Sequence, residues 1–92
     1  MTAVRAIVRG RVHGVGFRWF VAQRARALGI AGWVRNNPDG TVEMLATGTI
    51  EQLNLLRDEL NRGPEGAEVT AVEEVSVGEP PERLPLPFSI ER

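Results

Sequence analysis

The amino-acid sequence predicts an α+β fold in which an antiparallel sheet carries two helices on one face. The spacing of apolar residues alternates between that typical of a strand and that typical of a helix, in the order strand, helix, strand, strand, helix, strand. Glycines follow both predicted helices. A turn that contains proline and glycine joins the second and third predicted strands. This β-α-β-β-α-β order, with a short extra strand at the C-terminal edge, is that of a ferredoxin-like sandwich. We expect one domain over residues 1–92, since a chain of this length encloses only a small core.

The first part of the chain predicts a strand, a helix and a second strand. Residues 3–9 alternate between two faces, which is typical of a strand. Three glycines between residues 10 and 16 then indicate a loop. From Phe17 the apolar side chains recur at helical spacing until Gly29 ends the helix. Residues 31–36 predict the second strand.

The segment at residues 37–40, Asn-Pro-Asp-Gly, predicts a turn. Proline fixes its own φ, the aspartate side chain can accept hydrogen bonds from nearby amides, and glycine adopts a positive φ. Residues 41–47 alternate again and predict a third strand. The turn therefore predicts a hairpin between strands 31–36 and 41–47.

The second helix has recognisable signals at both ends. Thr49 and Gln52 have the spacing of a capping box, and Gly63 with Pro64 ends the helix. The predicted apolar stripe of this helix comprises Ile50, Leu53, Leu56 and Leu60.

The C-terminal part predicts two more strands. Residues 68–77 are rich in valine, and the pair Glu73-Glu74 interrupts their alternation, which indicates a bulge. A proline-rich extended stretch at residues 80–87 follows. It leads to residues 88–90, which predict a short edge strand.

Composition excludes several classes of protein. With no cysteine, the chain can form neither a disulfide nor a thiolate metal site. The apolar runs are too short to span a bilayer, and the N-terminus lacks the pattern of a secretion signal. We therefore expect a cytoplasmic protein with no membrane partner.

Charge is divided unevenly along the chain, although the formal net charge is only −1. Residues 1–37 contain seven arginines and no acidic residue, whereas residues 38–92 contain all twelve acidic residues. This division indicates that the first part of the chain binds an anion. The alternative is that the uneven division has no role in binding, because folding brings the two parts of the chain together and evens out the charge.

Residues 10–18 join the first strand to the first helix and carry the most informative pattern. Free N–H groups and a positive dipole end at a helix N-terminus attract anions, and glycines let neighbouring amides point to one centre. These features predict a phosphate site, which the guanidinium of Arg18 could close. The alternatives are a simple tight turn and a solvated surface arginine. The patterns of the Walker A and dinucleotide-binding loops are absent.

Two segments resemble the signatures of the acylphosphatase family. Residues 10–18, Gly-Arg-Val-His-Gly-Val-Gly-Phe-Arg, are similar to the first signature, G-R-V-Q-G-V-x-F-R. Residues 32–42 are similar to the second, G-W-V-K/R-N-x-x-D-G-S/T-V. The spacing of the two motifs, the order of elements and the Phe-Ser-Ile segment near the end agree with this family across nearly the whole chain.

The resemblance implies hydrolysis of the carboxyl-phosphate bond of acyl phosphates, with no metal and no organic cofactor. Arg18 resembles the arginine that binds the phosphoryl group, and Asn36 resembles the asparagine that orients the attacking water. The corresponding phosphate-binding loop comprises Gly10, Arg11, Val12, His13, Gly14, Val15 and Gly16. The implied partners are a small acyl phosphate and inorganic phosphate as a product inhibitor, without nucleic acid. We expect a monomer.

Three positions depart from the family pattern. His13 stands where glutamine is common, Asn37 where threonine or serine is common, and Glu91 where many relatives carry a basic residue. A lone histidine can be a nucleophile or a base. We favour a different interpretation, in which His13 contributes its backbone N–H group to the loop and its imidazole has no role.

Two alternative functions remain. A ferredoxin-like sheet with an arginine-rich first half could be a non-catalytic module that binds RNA or another anionic ligand. RNA-binding proteins of this fold usually expose aromatic residues on central strands, however, and strands 3–9 and 41–47 have none. We interpret Trp19 and Trp33 as packing residues and not as a stacking platform. The other alternative is a domain that acts on carbamoyl phosphate within a larger maturation protein. Because the sequence ends directly after its last strand, we favour a free-standing enzyme.

Overall fold

The structure is a computed structural model that describes residues 2–80 and 83–91. Its elements follow the predicted order, and part of the proline-rich stretch, residues 81 and 82, lies outside the described residues. The elements are β1 (Thr2–Arg11), α1 (Phe17–Ala27), β2 (Ala31–Asn36), β3 (Val42–Gly48), α2 (Ile50–Arg62), β4 (Glu68–Gly78) and β5 (Ser89–Ile90). The ferredoxin-like prediction is confirmed, including the short extra strand.

The sheet has the strand order β4-β1-β3-β2-β5. Strands β1 to β4 form antiparallel pairs, and the hairpin between β2 and β3 forms as predicted. The added strand β5 lies parallel to β2, with Ser89 opposite Trp33. The sheet is therefore mixed, since β5 is parallel to its neighbour whereas the other pairs are antiparallel. Strands β4 and β5 lie at opposite edges.

Both helices cover one face of the sheet and enclose the main core. From α1 the core takes Phe17, Phe20, Val21, Ala22 and Ala25. The prediction for α2 holds for Leu56 and Leu60, which are buried, but Ile50 is 75% exposed. Ile50 is the first residue of α2, so it extends past the edge of the core although it has the correct helical spacing.

The predicted capping box of α2 is present. The Gln52 amide donates to the Thr49 hydroxyl at 3.1 Å, and the Thr49 amide donates to the Gln52 side chain at 2.8 Å. Gly63 ends the helix with a positive φ of 66°. Among the described residues, no helix is long and apolar enough to cross a membrane.

The bulges of β4 are not where the sequence predicts them. The register against β1 shifts where Thr70 and Val77 are each skipped, whereas Glu73 and Glu74 pair regularly with Ile7 and Ala6. The prediction of a bulge at Glu73-Glu74 is therefore wrong. Both glutamates lie on a strand that is exposed over most of its length, so their polarity needs no bulge.

The C-terminal part of the chain covers some of the other face of the sheet. Leu84 packs there against Ala3 and Leu45, with Ala31 and Trp33 at the margin. The Gly32 amide donates to the carbonyl of Pro85 at 2.9 Å, which holds the crossing segment against β2. Trp33 is thus a packing residue, as predicted.

Candidate active site

A cleft of about 200 Å³ opens where the first strand-helix connection meets the ends of β2 and β5. Its lining consists of Val12, Gly14, Gly16, Phe17, Arg18, Trp19, Asn36 and Ile90. Among the residues that the structure describes, no acidic side chain belongs to this lining. The structure thus brings the two predicted catalytic residues, Arg18 and Asn36, to one place from positions on α1 and β2.

The connection between β1 and α1, residues 12–16, is called the glycine loop below. Gly14 and Gly16 both have φ of 74°, in the left-handed region that favours glycine. A Cβ atom at either position would meet nothing within 4 Å. The backbone conformation, and not crowding, therefore requires glycine at these two positions.

The backbone amides of the glycine loop and of the first turn of α1 are free. From Val12 to Trp19, no N–H group donates to an acceptor within residues 2–80 or 83–91. The first bond of the helix runs from the Phe20 amide to the Gly16 carbonyl at 2.9 Å. Free donors at the positive end of a helix dipole form a site for a phosphate-sized anion. The first turn holds no acidic residue that would compete for them.

Arg18 is half-buried beside these amides, and the C-terminal segment holds its side chain. Its Nη1 donates to the main-chain carbonyl of Glu91 at 3.2 Å, and the Glu91 amide donates to the Val34 carbonyl at 2.8 Å. No carboxylate within the described ranges 2–80 and 83–91 pairs with this guanidinium. Among the described residues, Arg18 therefore keeps an unneutralised charge and donors to spare. The acidic side chain of Glu91 departs from the family pattern, but Glu91 meets Arg18 through its backbone.

Asn36 ends β2, where it pairs with Val42 of β3. Its side-chain amide has no hydrogen-bond partner in the part of the chain that the structure describes, and the residue lines the cleft. An amide group in this position offers both a donor and an acceptor to a water molecule.

The connection after Asn36, residues 37–41, is called the proline turn below. The Gly40 amide donates to the Asn37 carbonyl at 3.1 Å, and the Asn37 amide donates to the Thr41 carbonyl at 2.8 Å. Thr41 donates to the Asp39 carboxylate from its hydroxyl at 2.6 Å and from its amide at 3.0 Å. These two bonds lower the pKa of Asp39 below its usual value. The predicted role of the aspartate in the turn is confirmed.

The glycine loop is shorter than the predicted loop of residues 10–16. Gly10 and Arg11 are the last residues of β1 and pair with Val69 and Glu68 of β4. A Cβ at Gly10 would lie 2.0 Å from the Glu68 carbonyl oxygen, so glycine is needed there for close packing between strands. Sequence reasoning assigned this glycine to anion binding because a glycine at a strand end resembles a loop glycine.

Of the other predicted loop residues, Val12 is buried, and His13 and Val15 do not line the cleft. The imidazole Nε2 of His13 lies 2.9 Å from the Thr41 carbonyl oxygen, so its side chain has a partner that the sequence did not reveal. Ile90 is a further lining residue that was not predicted.

Trp19 lines the cleft and is 63% exposed. Its interpretation as a packing residue is therefore wrong. Its position just after Arg18, outside the buried stripe of α1, is the sequence signal that points to exposure.

A metal centre has no obvious ligands here. Within residues 2–80 and 83–91, no group of three or more His, Cys, Asp or Glu side chains is arranged to hold a metal ion. Phosphate, and not a cation, is the species that the free amides and Arg18 suit.

Comparisons with known proteins agree with this geometry. The family model described as Acylphosphatase matches residues 4–90. An acylphosphatase from Koribacter versatilis is 55% identical over 69 residues, which cover 75% of this chain and 63% of that protein. The crystal structure of acylphosphatase from Bacillus subtilis superposes with a TM-score of 0.93 at 37% identity and covers both chains completely.

A domain of a larger protein is also similar. The crystal structure of Thermococcus kodakarensis HypF matches all of this chain with a TM-score of 0.84 at 30% identity, but the match covers only 12% of that protein. The same fold thus occurs both as a short chain and as a small part of a long one. Because the family model spans nearly the whole sequence, the chain belongs to the acylphosphatase family.

Proposed function

We propose that the chain hydrolyses acyl phosphates to a carboxylate and inorganic phosphate, an activity that its family and fold support. The proposal rests most on the amides from Val12 to Trp19, none of which donates within residues 2–80 and 83–91. Most of these residues line one cleft with Arg18, whose guanidinium has no carboxylate partner among the described residues. A phosphoryl group that accepts these donors would be held on one side by the backbone and on the other by Arg18.

This arrangement would stabilise the negative charge that develops during phosphoryl transfer. The transition state spreads negative charge over the equatorial oxygens, so that catalysis consists mainly of positioning and electrostatic stabilisation. Donors fixed before the reaction need no reorganisation when the charge develops. Arg18 and the amides of the glycine loop therefore supply positive charge from the protein, and we propose that the reaction requires no metal.

The leaving group imposes little further demand. A carboxylate is the conjugate base of an acid with a pKa of about 4, so that it departs without being protonated. A general acid is therefore unnecessary. A cleft whose described lining residues include no acid would therefore suffice for an acyl phosphate and would serve an alkyl phosphate poorly.

Asn36 is the candidate for holding the attacking water. Its side-chain amide can donate to the water oxygen or accept from it, and thereby align the water with the bond that breaks. Asparagine does not act as a base near neutral pH, so the proton of the water passes to solvent or to a phosphate oxygen. Inorganic phosphate should occupy the same donors as the substrate and inhibit competitively.

RNA binding has less support. Leu84 lies against Ala3 and Leu45 on the face of the sheet where a ferredoxin-like RNA reader would stack bases. The central strands β1 and β3 carry no aromatic residue.

The proposed activity is tested by hydrolysis of benzoyl phosphate in the presence of EDTA, with inorganic phosphate as a competitor. We expect turnover that EDTA does not change and that phosphate inhibits by raising KM alone. The absence of hydrolysis would contradict the proposed function. Hydrolysis that EDTA abolishes would contradict metal independence only.

A further inference from the structure

The glycine loop poses a mechanical problem, because its amides must stay free for the ligand and yet be held in place. No amide from Val12 to Trp19 donates within residues 2–80 and 83–91, so backbone bonds hold this segment only through carbonyls, such as that of Gly16, which accepts from the Phe20 amide at 2.9 Å. Buried side chains anchor the loop at Val12 and, just beyond it, at Phe17, which are 1% and 2% exposed. Between these anchors lie Gly14 and Gly16, the two most flexible residues of the segment.

His13 supplies a direct polar contact from the middle of this segment. Its Nε2 lies 2.9 Å from the Thr41 carbonyl oxygen. Because a carbonyl oxygen only accepts, Nε2 carries the proton and donates. In residues 2–80 and 83–91, no other side chain of the glycine loop forms a hydrogen bond.

The acceptor belongs to the most firmly bonded connection near the cleft. The Thr41 carbonyl also accepts from the Asn37 amide at 2.8 Å, and Thr41 is itself 5% exposed. Asn37 directly follows Asn36. A bond to Thr41 therefore ties the glycine loop to the connection that fixes the end of β2.

We propose that His13 is a positioning residue, which sets the distance between the phosphate-binding amides and Asn36 by donating from Nε2 to the Thr41 carbonyl. This inference rests on the proposed function. The imidazole exchanges no proton with substrate and forms no covalent intermediate; it acts only through the loop backbone that it holds.

A glutamine at this position separates positioning from imidazole chemistry. The glutamine amide nitrogen can donate to the same carbonyl but is neither a base nor a nucleophile. The alanine side chain can neither donate to this carbonyl nor act as a base or a nucleophile. A positioning role therefore predicts that His13→Gln restores what His13→Ala loses, whereas imidazole chemistry predicts that both variants fail.

The experiment measures benzoyl phosphate kinetics, phosphate affinity by isothermal titration, and thermal unfolding for both variants. We expect His13→Ala to lower kcat/KM about tenfold or more and to weaken phosphate binding, because small misplacements of binding groups are costly. His13→Gln should stay within about threefold of the wild type, as expected if one donor replaces another. The matched control is Asn61→Ala, which removes a side-chain bond of 2.9 Å to the Arg57 carbonyl on α2 and should change the kinetics little.

Several outcomes would overturn the inference. Wild-type kinetics and phosphate affinity in His13→Ala would show that the contact positions nothing. A folded but inactive His13→Gln would assign chemistry to the imidazole. If the wild type binds phosphate but hydrolyses no acyl phosphate, the proposed function fails, and the phosphate affinities of the two variants still test the positioning role.

Discussion

The glycine loop and the proline turn, which both border the cleft, differ in how their backbone groups are hydrogen-bonded. The proline turn satisfies its groups internally, through the Asn37 and Gly40 amides and through the bonds from Thr41 to Asp39. In the glycine loop and the first turn of α1, by contrast, no amide donates to an acceptor in the described parts of the chain, residues 2–80 and 83–91. Both connections are short, both contain left-handed glycines, and both adjoin a predicted catalytic residue.

This difference indicates that the glycine loop serves ligand binding and the proline turn serves stability. Free donors near the surface are satisfied by water until a ligand replaces it, so that they add affinity for an anion but little to stability. Bonds within the proline turn stabilise a fixed conformation and offer nothing to a ligand. Loss of a group from the glycine loop region should therefore harm binding and turnover, whereas loss of a group from the proline turn should harm stability.

The largest effect is expected for Arg18→Ala. Removal of the only cation among the described residues that line the cleft should lower kcat/KM for benzoyl phosphate by about 10³-fold or more and weaken phosphate binding. Arg24→Ala is the matched control, since Arg24 lies on the same helix but pairs with Glu59 at 2.8 Å away from the cleft. Steady-state kinetics and circular dichroism would measure the two variants. Near-normal turnover in folded Arg18→Ala would contradict the assignment.

A smaller and more selective effect is expected for Asn36→Ala. Because the proposed partner of Asn36 is water, kcat should fall roughly 10²-fold while phosphate affinity is largely retained. Asn37→Ala is the comparison within the proline turn. It loses the 3.0 Å bond to the Thr41 hydroxyl and should lose about 1 kcal/mol of stability with kcat within a few-fold. If titration showed that Asn36→Ala no longer binds phosphate, Asn36 would be a binding residue instead.

The glycines of the two connections provide a direct comparison. Gly14 and Gly40 have φ of 74° and 91°, and a Cβ at either would meet nothing within 4 Å. Alanine should cost each variant roughly 1–2 kcal/mol of stability in urea unfolding, because both positions are left-handed. Only Gly14→Ala should also weaken phosphate binding, by about tenfold, since it alone disturbs free amides. Equal phosphate affinities in the two variants would remove the proposed distinction.

The smallest effect concerns acid stability and Asp39. The hydroxyl and amide of Thr41 lower the pKa of Asp39 below its ordinary value of 3.8. The stability that the carboxylate adds is therefore fully present above pH 3.8 and is lost as the pH falls through the lower pKa of the folded state. Asp39→Asn does not titrate, so the difference in unfolding free energy between wild type and variant should shrink between about pH 5 and about pH 2. A difference that stays constant in urea titrations over this range would contradict this role.

The elements of the fold were predictable because each has a local signal. The capping pair Thr49 and Gln52, the proline turn and the alternating strands all lie within a few residues of what they determine. The parallel orientation of β5 was not predictable, since it depends on a segment that crosses the sheet. Nor was the exposure of Ile50, since spacing gives the direction of a side chain and not where the core ends.

The candidate site, like the fold, was predictable from the sequence only in part. The sequence motifs name Arg18 and Asn36, and the structure places both at one cleft. The partners of Arg18 and His13 could not be predicted, because both are backbone carbonyls and every residue has one. Only the folded chain selects the carbonyls of Glu91 and Thr41 from all the others.

The bond from Arg18 to Glu91 joins residues that are 73 positions apart. A contact of such long range closes a long loop, and the chain entropy lost in closing it must be offset by the contacts that form. Helix α1 can form from local interactions, yet its arginine gains this last support only when β5 docks beside β2. The support of Arg18 therefore depends on the same segment that completes the sheet, and a chain without that segment in place would have an incomplete site.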